Sequence, residues 1–63
     1  MPTILVADDH PLFREALRGA VVRMIPEAQL YEAENADGLY AMADAHPDAD
    51  LLLLDLNMPG ARV

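Results

Sequence analysis

The segment TILVADDHPLFR, residues 3–14, decides the fold that this sequence predicts. Its first five residues, Thr3 to Ala7, form a short and continuous apolar run, which is typical of a parallel strand buried on both faces. Two aspartates end the run, and Pro11 suits the first turn of a helix, where its missing N–H costs nothing. The segment therefore predicts a strand that passes through an acidic loop into a helix.

The predicted helix continues to Met24 and ends before Pro26, with charged residues between its apolar positions. These apolar positions are Leu12, Phe13, Ala16, Leu17, Ala20, Val21 and Met24. We expect the leucines among them and Met24 to pack in the core, together with Met42 and the leucines farther along the chain.

Three further elements follow. Gln29 to Ala33 is predicted to form a second strand, a second helix starts around residues 35–37 and stops at His46-Pro47, and Asp50 to Leu54 is a third apolar strand. A β-α-β-α-β order predicts an α/β fold with a parallel sheet and right-handed crossovers. In such sheets, ligands bind outside the carboxyl ends of the strands, where the strand order reverses.

The composition excludes several classes of protein. The chain has 63 residues and no cysteine, so it has neither disulfides nor a thiolate metal site, and a cytoplasmic location is favoured. Its apolar run at residues 51–54 is far shorter than the roughly 20 residues of a membrane span, and its N-terminus does not have the pattern of a signal peptide. The net charge of −7 and the absence of lysine argue against nucleic-acid binding by this segment.

The acidic residues at the strand ends suggest a chemistry. Asp8 and Asp9 follow the first strand and Asp55 follows the third, so the three carboxylates converge if these strands are neighbours. Crowded carboxylates repel each other, and a hard divalent cation such as Mg²⁺ relieves the repulsion. One carboxylate can then act as the nucleophile in phosphoryl transfer while the others hold the cation.

Each of these residues also has a purely structural interpretation. An acidic pair before a helix often serves only as an N-cap, and Asp55 could simply begin a turn. His10 is interpreted as a solvent-facing loop residue, and His46 as a partner of a helix C-terminus. Two acidic clusters, each at the end of a strand, would nevertheless rarely occur together by chance.

The runs ILVADDHPLFREAL and LLLLDLNMPG closely resemble the receiver domain of bacterial two-component response regulators, especially receivers joined to LuxR-type helix-turn-helix domains, the NarL/FixJ subfamily. The resemblance implies that Asp55 is the phosphoacceptor and that Asp9 binds Mg²⁺ directly. It also implies that Asp8 acts mainly through water and that Asn57 contributes its backbone carbonyl. A sensor histidine kinase is the implied partner, and transcription the implied output.

The resemblance covers residues 1–63 as part of a flavodoxin-like, doubly wound parallel sheet in which the first strand is central. The family has five strands, so the sequence corresponds to a receiver truncated after the third. In the family, a switch Ser/Thr follows the fourth strand, and a lysine that contacts the phosphoryl group follows the fifth. Neither residue has a counterpart here, and nor does the output domain. We therefore expect the 63-residue chain alone to be incompetent as a switch, and to dimerise through the third strand or through exchanged elements.

Two rival functions remain open. A haloacid-dehalogenase-type phosphohydrolase also uses Mg²⁺ and an aspartate after an apolar strand, but it requires a second aspartate where this sequence has Asn57. A non-catalytic fragment that only self-associates would show no Mg²⁺ dependence. A dinucleotide-binding module is disfavoured because no glycine-rich loop follows the first strand.

Overall fold

The computed structural model describes residues 1–55, which form a three-stranded sheet and two helices. The elements are β1 (Thr3–Ala7), α1 (Pro11–Met24), β2 (Gln29–Ala33), α2 (Ala36–Ala45) and β3 (Leu51–Leu54). This order confirms the predicted α/β fold. Neither helix in residues 1–55 is long and apolar enough to cross a membrane.

The strand order is β2-β1-β3, and β1 pairs in parallel with both neighbours. The first strand is therefore central, as the resemblance implies. Ala7 lies opposite Leu54 in the register, so β1 and β3 end at the same edge of the sheet. The backbone N–H of Asp55 donates to the carbonyl of Ala7 at 3.0 Å, which carries the pairing one residue past β3.

The start of β3 differs from the prediction by one residue, because Asp50 lies just before the strand. Its backbone N–H donates to the carbonyl of Thr3 at 2.8 Å, and its carboxylate accepts the N–H of Thr3 at 2.8 Å. Asp50 thus joins the beginnings of β1 and β3 from outside the regular ladder.

The core lies along β1 and beneath α2. Residues 4–7 of β1 are buried, and Ala7 packs with Ala33 and Leu39, against which Met42 lies half-buried. The side chain of Asn35 accepts the N–H of Gly38 at 2.8 Å and caps the N-terminus of α2. The predicted apolar face of α2 comprises Leu39, Met42 and Ala43; the structure buries Leu39 and half-buries Met42, whereas Ala43 is exposed.

The prediction that the leucines and Met24 of α1 belong to the core is wrong for the part of the chain that the structure describes. No residue of α1 is buried, and Leu12 and Met24 are 81% and 80% exposed. Three leucines of β3, at positions 51, 52 and 54, are also exposed. The residues of α1 are exposed because the helix borders an open groove instead of packing closely against the sheet. The leucines of β3 are exposed because, within residues 1–55, this strand is paired only with β1.

An ion pair ties α1 to the sheet. The guanidinium of Arg18 on α1 contacts the carboxylate of Glu32 on β2 at 2.6 Å. The groove beside α1 has a volume of about 680 Å³ and is lined by Val6, Ala7, Asp8, His10, Leu12, Phe13, Leu17, Leu53, Leu54 and Asp55. Its apolar walls come from α1, β1 and β3, and its polar residues lie at the carboxyl ends of the strands.

Candidate functional site

The carboxyl ends of β1 and β3 bring together the three aspartates that the sequence singled out. One oxygen each from Asp8, Asp9 and Asp55, with one ring nitrogen of His10, all lie within 4.8 Å of one another. The pairing of β1 with β3 produces this convergence, because it places the residues that follow Ala7 beside the residue that follows Leu54. The predicted acidic cluster is therefore present.

Burial differs among the three carboxylates. Asp8 is only 3% exposed, whereas Asp9 is exposed and the side chain of Asp55 is 18% exposed. The N–H of Asp8 donates to the carbonyl of Ala33 at 3.0 Å, so β2 also fixes this loop. Asp8 thus forms the floor of the cluster, while Asp9 and Asp55 lie closer to solvent.

His10 belongs to the cluster, although the sequence suggested only a solvent-facing loop residue. Its side chain is 67% exposed, but Nδ1 lies 2.9 Å from Oδ1 of Asp8, 2.9 Å from Oδ1 of Asp9 and 3.5 Å from Oδ2 of Asp55. The backbone N–H of His10 also donates to Oδ1 of Asp8 at 2.8 Å. The spacing of two residues from Asp8 was a usable signal, because aspartates commonly accept the N–H two residues on.

The pKa values of Asp8 and His10 move apart. Burial acts to raise the pKa of Asp8, but the hydrogen bonds from the backbone and ring of His10, with the charges of His10 and Arg14, outweigh burial and bring it below 3.8. The hydrogen bond to Asp8 and the charge of Asp9 raise the pKa of His10 above 6.5, against a smaller opposing effect of desolvation. The ring of His10 and the carboxylate of Asp8 therefore favour each other's charged forms.

These shifts predict how stability depends on pH in the absence of divalent cations. The folded pKa of His10 is raised, so its stabilisation is complete below 6.5 and is lost as the pH rises through the folded value. The folded pKa of Asp8 is lowered, so its contribution is lost only as the pH falls below 3.8. Of these two groups, only His10 should change its contribution to the free energy of unfolding between about pH 5.5 and pH 8.5.

Thermal melts in EDTA across that range should therefore show the wild type losing more stability with rising pH than a His10→Gln variant does. His46→Gln provides the control, because the His46 ring stacks on Tyr31 with centroids 3.9 Å apart, at a different place in the fold. If the melting temperatures of the wild type and of His10→Gln change equally with pH, the assigned ion pair between His10 and Asp8 would be contradicted.

One predicted site residue, Asn57, lies outside the described residues, as do the following residues Met58, Pro59 and Gly60. The role of the Asn57 backbone carbonyl stays a prediction. The roles of Asp8, Asp9 and Asp55 are likewise inferred from their chemistry and position.

Comparisons with known proteins give consistent relatives. No protein-family model matches the chain, and no solved structure matches it significantly. Among curated proteins, it is 47% identical over 60 residues to the glycerol metabolism activator of Pseudomonas putida, covering 95% of the chain and 27% of that protein. It is 42% identical over 59 residues to the nitrate/nitrite response regulator protein NarL of Escherichia coli, covering 92% of the chain and 26% of NarL.

A third relative, the nitrate/nitrite response regulator protein NarP of Escherichia coli, is 40% identical over 58 residues, which are 90% of the chain and 26% of NarP. The chain thus spans about a quarter of the length of the curated relatives it matches. The similarity extends over nearly all of its 63 residues, and the parallel β-α-β-α-β architecture agrees with the fold that the receiver resemblance implies. The similarity to these relatives and the architecture of the sheet together support a receiver domain of the NarL type.

Proposed function

We propose that this segment belongs to a longer two-component response regulator and that Asp55 accepts a phosphoryl group from a sensor histidine kinase. The observation that carries the proposal is the position of Asp55, at the end of β3 and within one cluster with the two aspartates that follow β1. The response-regulator names of NarL and NarP support the same function. Phosphoryl labelling of the wild type and of an Asp55→Asn variant tests it.

The donor set of the cluster fits a hard divalent cation. Three carboxylate oxygens lie within 4.8 Å of one another, and one of the carboxylates is buried, where an uncompensated charge is costly. Asp9, Asp55 and Asp8, with the backbone carbonyl of Asn57, would hold Mg²⁺. When bound, Mg²⁺ supplies positive charge that neutralises the phosphoryl oxygens.

The protein's own contribution to the transfer is a positioned nucleophile. A carboxylate oxygen of Asp55 attacks phosphorus, an O–P bond forms, and the P–N bond of the kinase's phosphohistidine breaks, leaving a neutral imidazole after proton uptake. The hydrogen bond from the Asp55 N–H to the carbonyl of Ala7 anchors the nucleophile to the central strand. Asp8 and Asp9 add negative charge that would repel the phosphoryl group without a cation.

The remaining roles concern the longer regulator. We propose that phosphorylation in the cytoplasm controls a transcriptional output domain, and that DNA is contacted there and not by this acidic segment. The 63-residue chain alone would not act as a switch, because it contains no lysine to contact the phosphoryl group. The named relatives favour a signalling acceptor over a phosphohydrolase.

We also propose that the isolated 63-residue chain forms a two-fold dimer through β3. Within the described part, β3 is an edge strand made of four leucines, three of them exposed, and it contains no lysine or proline. An apolar edge of this kind is a template for pairing with another chain. A second copy offers an identical edge, so antiparallel pairing closes a symmetric dimer.

Sedimentation of the isolated chain at micromolar concentration should reveal this dimer, and Leu52→Lys should weaken it about tenfold or more, because like charges would then face each other. Met24→Lys is the matched control, since it adds the same charge at an exposed apolar position at the end of α1. A cooperatively melting wild-type monomer would contradict the proposal.

A further inference from the structure

We infer that the ring of His10 occupies the cation position of the carboxylate cluster and must be displaced before a divalent cation can bind there. His10 is then a built-in competitor that lowers the affinity of the site for metal. The inference rests on the proposed function, because it takes the cluster of Asp8, Asp9 and Asp55 to be the metal site.

The geometry of the ring nitrogen carries the first step. Nδ1 lies 2.9 Å from an oxygen of Asp8, 2.9 Å from an oxygen of Asp9 and 3.5 Å from an oxygen of Asp55. The carboxylates thus already converge on one positively polarised atom. A cation that coordinates the oxygens of Asp9 and Asp55 directly must come closer to them than the ring nitrogen does, at about 2.0–2.1 Å for Mg²⁺. The nitrogen and the cation therefore cannot share the space between these carboxylates.

The second step is that the ring can leave without unfolding the loop. The side chain of His10 is 67% exposed, so solvent is available on its outer side. The backbone of His10 has its own anchors, because its N–H donates to Asp8 at 2.8 Å and its carbonyl accepts the N–H of Arg14 at 3.0 Å. A change of side-chain rotamer, which is fast for exposed residues, would clear the position while the loop stays in place.

A competing interpretation is that Nδ1 itself ligates the metal, with the ring as a fourth ligand. The contact between Nδ1 and Asp8 argues for displacement. An ionised carboxylate can only accept, so Nδ1 would carry the proton in this contact, and a protonated ring nitrogen has no lone pair for a metal. The two interpretations predict opposite effects of removing the ring. Ligand loss weakens binding, whereas loss of a competitor strengthens it.

Calorimetric titration of the full-length regulator with Mg²⁺, at one fixed pH, measures this effect. His10→Ala should bind Mg²⁺ about tenfold more tightly than the wild type, as expected when a competing hydrogen bond to a charged group is removed. The control is His46→Ala, which removes the ring that stacks on Tyr31 and should leave the affinity unchanged. An unchanged or weakened affinity in His10→Ala would overturn the inference while leaving the metal site itself intact.

A second measurement does not depend on the variant folding. In the wild type, saturating Mg²⁺ should shift the ring resonances of His10 and leave those of His46 in place. Saturation with no change at the His10 ring would overturn the displacement. If neither calorimetry nor resonance shifts detect any Mg²⁺ binding, the proposed metal site fails, and the inference fails with it.

Discussion

Replacing Asp55 by asparagine is expected to reduce phosphoryl labelling of the full-length regulator by about a thousandfold or more, to background. Asparagine preserves the shape of the side chain and leaves the backbone bond to Ala7 unaffected, but its amide is not a nucleophile. Labelling by a cognate histidine kinase or by acetyl phosphate measures the change. Because no other nucleophile is proposed, the loss should be the same with both donors.

Asp48→Asn is the matched control for this experiment. Asp48 is exposed in the turn before β3, so the substitution makes the same chemical change away from the cluster and should leave labelling intact. Wild-type labelling of Asp55→Asn would mean that another residue is the acceptor. Sustained turnover of a generic phosphate ester by the wild type would instead favour a phosphohydrolase.

Replacing Asp9 by alanine is expected to weaken Mg²⁺ binding to the full-length regulator by at least about tenfold. Even residues that only support a metal ligand cost about 10–100-fold in affinity when they are removed, and Asp9 is proposed to bind directly. Its carboxylate is exposed and within reach of the oxygens of Asp8 and Asp55. Magnesium titration followed by backbone amide resonances near residues 8, 9 and 55 measures the affinity.

Asp44→Ala separates ligation from a change in net charge. It removes the same charge from an exposed position on α2, where alanine also favours the helix, so its Mg²⁺ affinity should stay close to that of the wild type. An equal loss of Mg²⁺ affinity in Asp9→Ala and Asp44→Ala would mean that Asp9 acts only through its charge and not as a ligand. Amide spectra that do not change at saturating Mg²⁺ would refute the site.

The strands and helices could be predicted because their signals are local. The apolar run Thr3–Ala7 and the segment Gln29–Ala33 lie directly between turn or cap residues, and the structure gives both strands the predicted bounds. The helix that starts after Asn35 begins with a capping side chain that accepts the N–H of Gly38. Local hydrogen bonds and steric preferences act between neighbouring residues, so the sequence records them directly.

The exposure of α1 could not be predicted in the same way. Helical spacing shows that the apolar residues of α1 share one side, but it does not show what covers that side. Leu12 and Met24 are largely exposed in the structure, because α1 borders an open groove. Periodicity therefore identified the amphipathic helix and overestimated its burial within residues 1–55.

The residue types and spacing of the sequence determined the order of elements, the parallel sheet and the two acidic strand ends, because these depend on chain-local preferences and on the short reach of each crossover. The central position of β1 was implied only by the family resemblance, and the structure shows it directly. Only the tertiary structure decided that Asp55 meets Asp8 and that the ring of His10 turns inward to the cluster. The physical reason is distance along the chain. Asp8 and Asp55 are 47 residues apart in the sequence, so they meet only because β1 pairs with β3. The direction of the His10 ring depends in turn on the carboxylate charges that this pairing brings beside it.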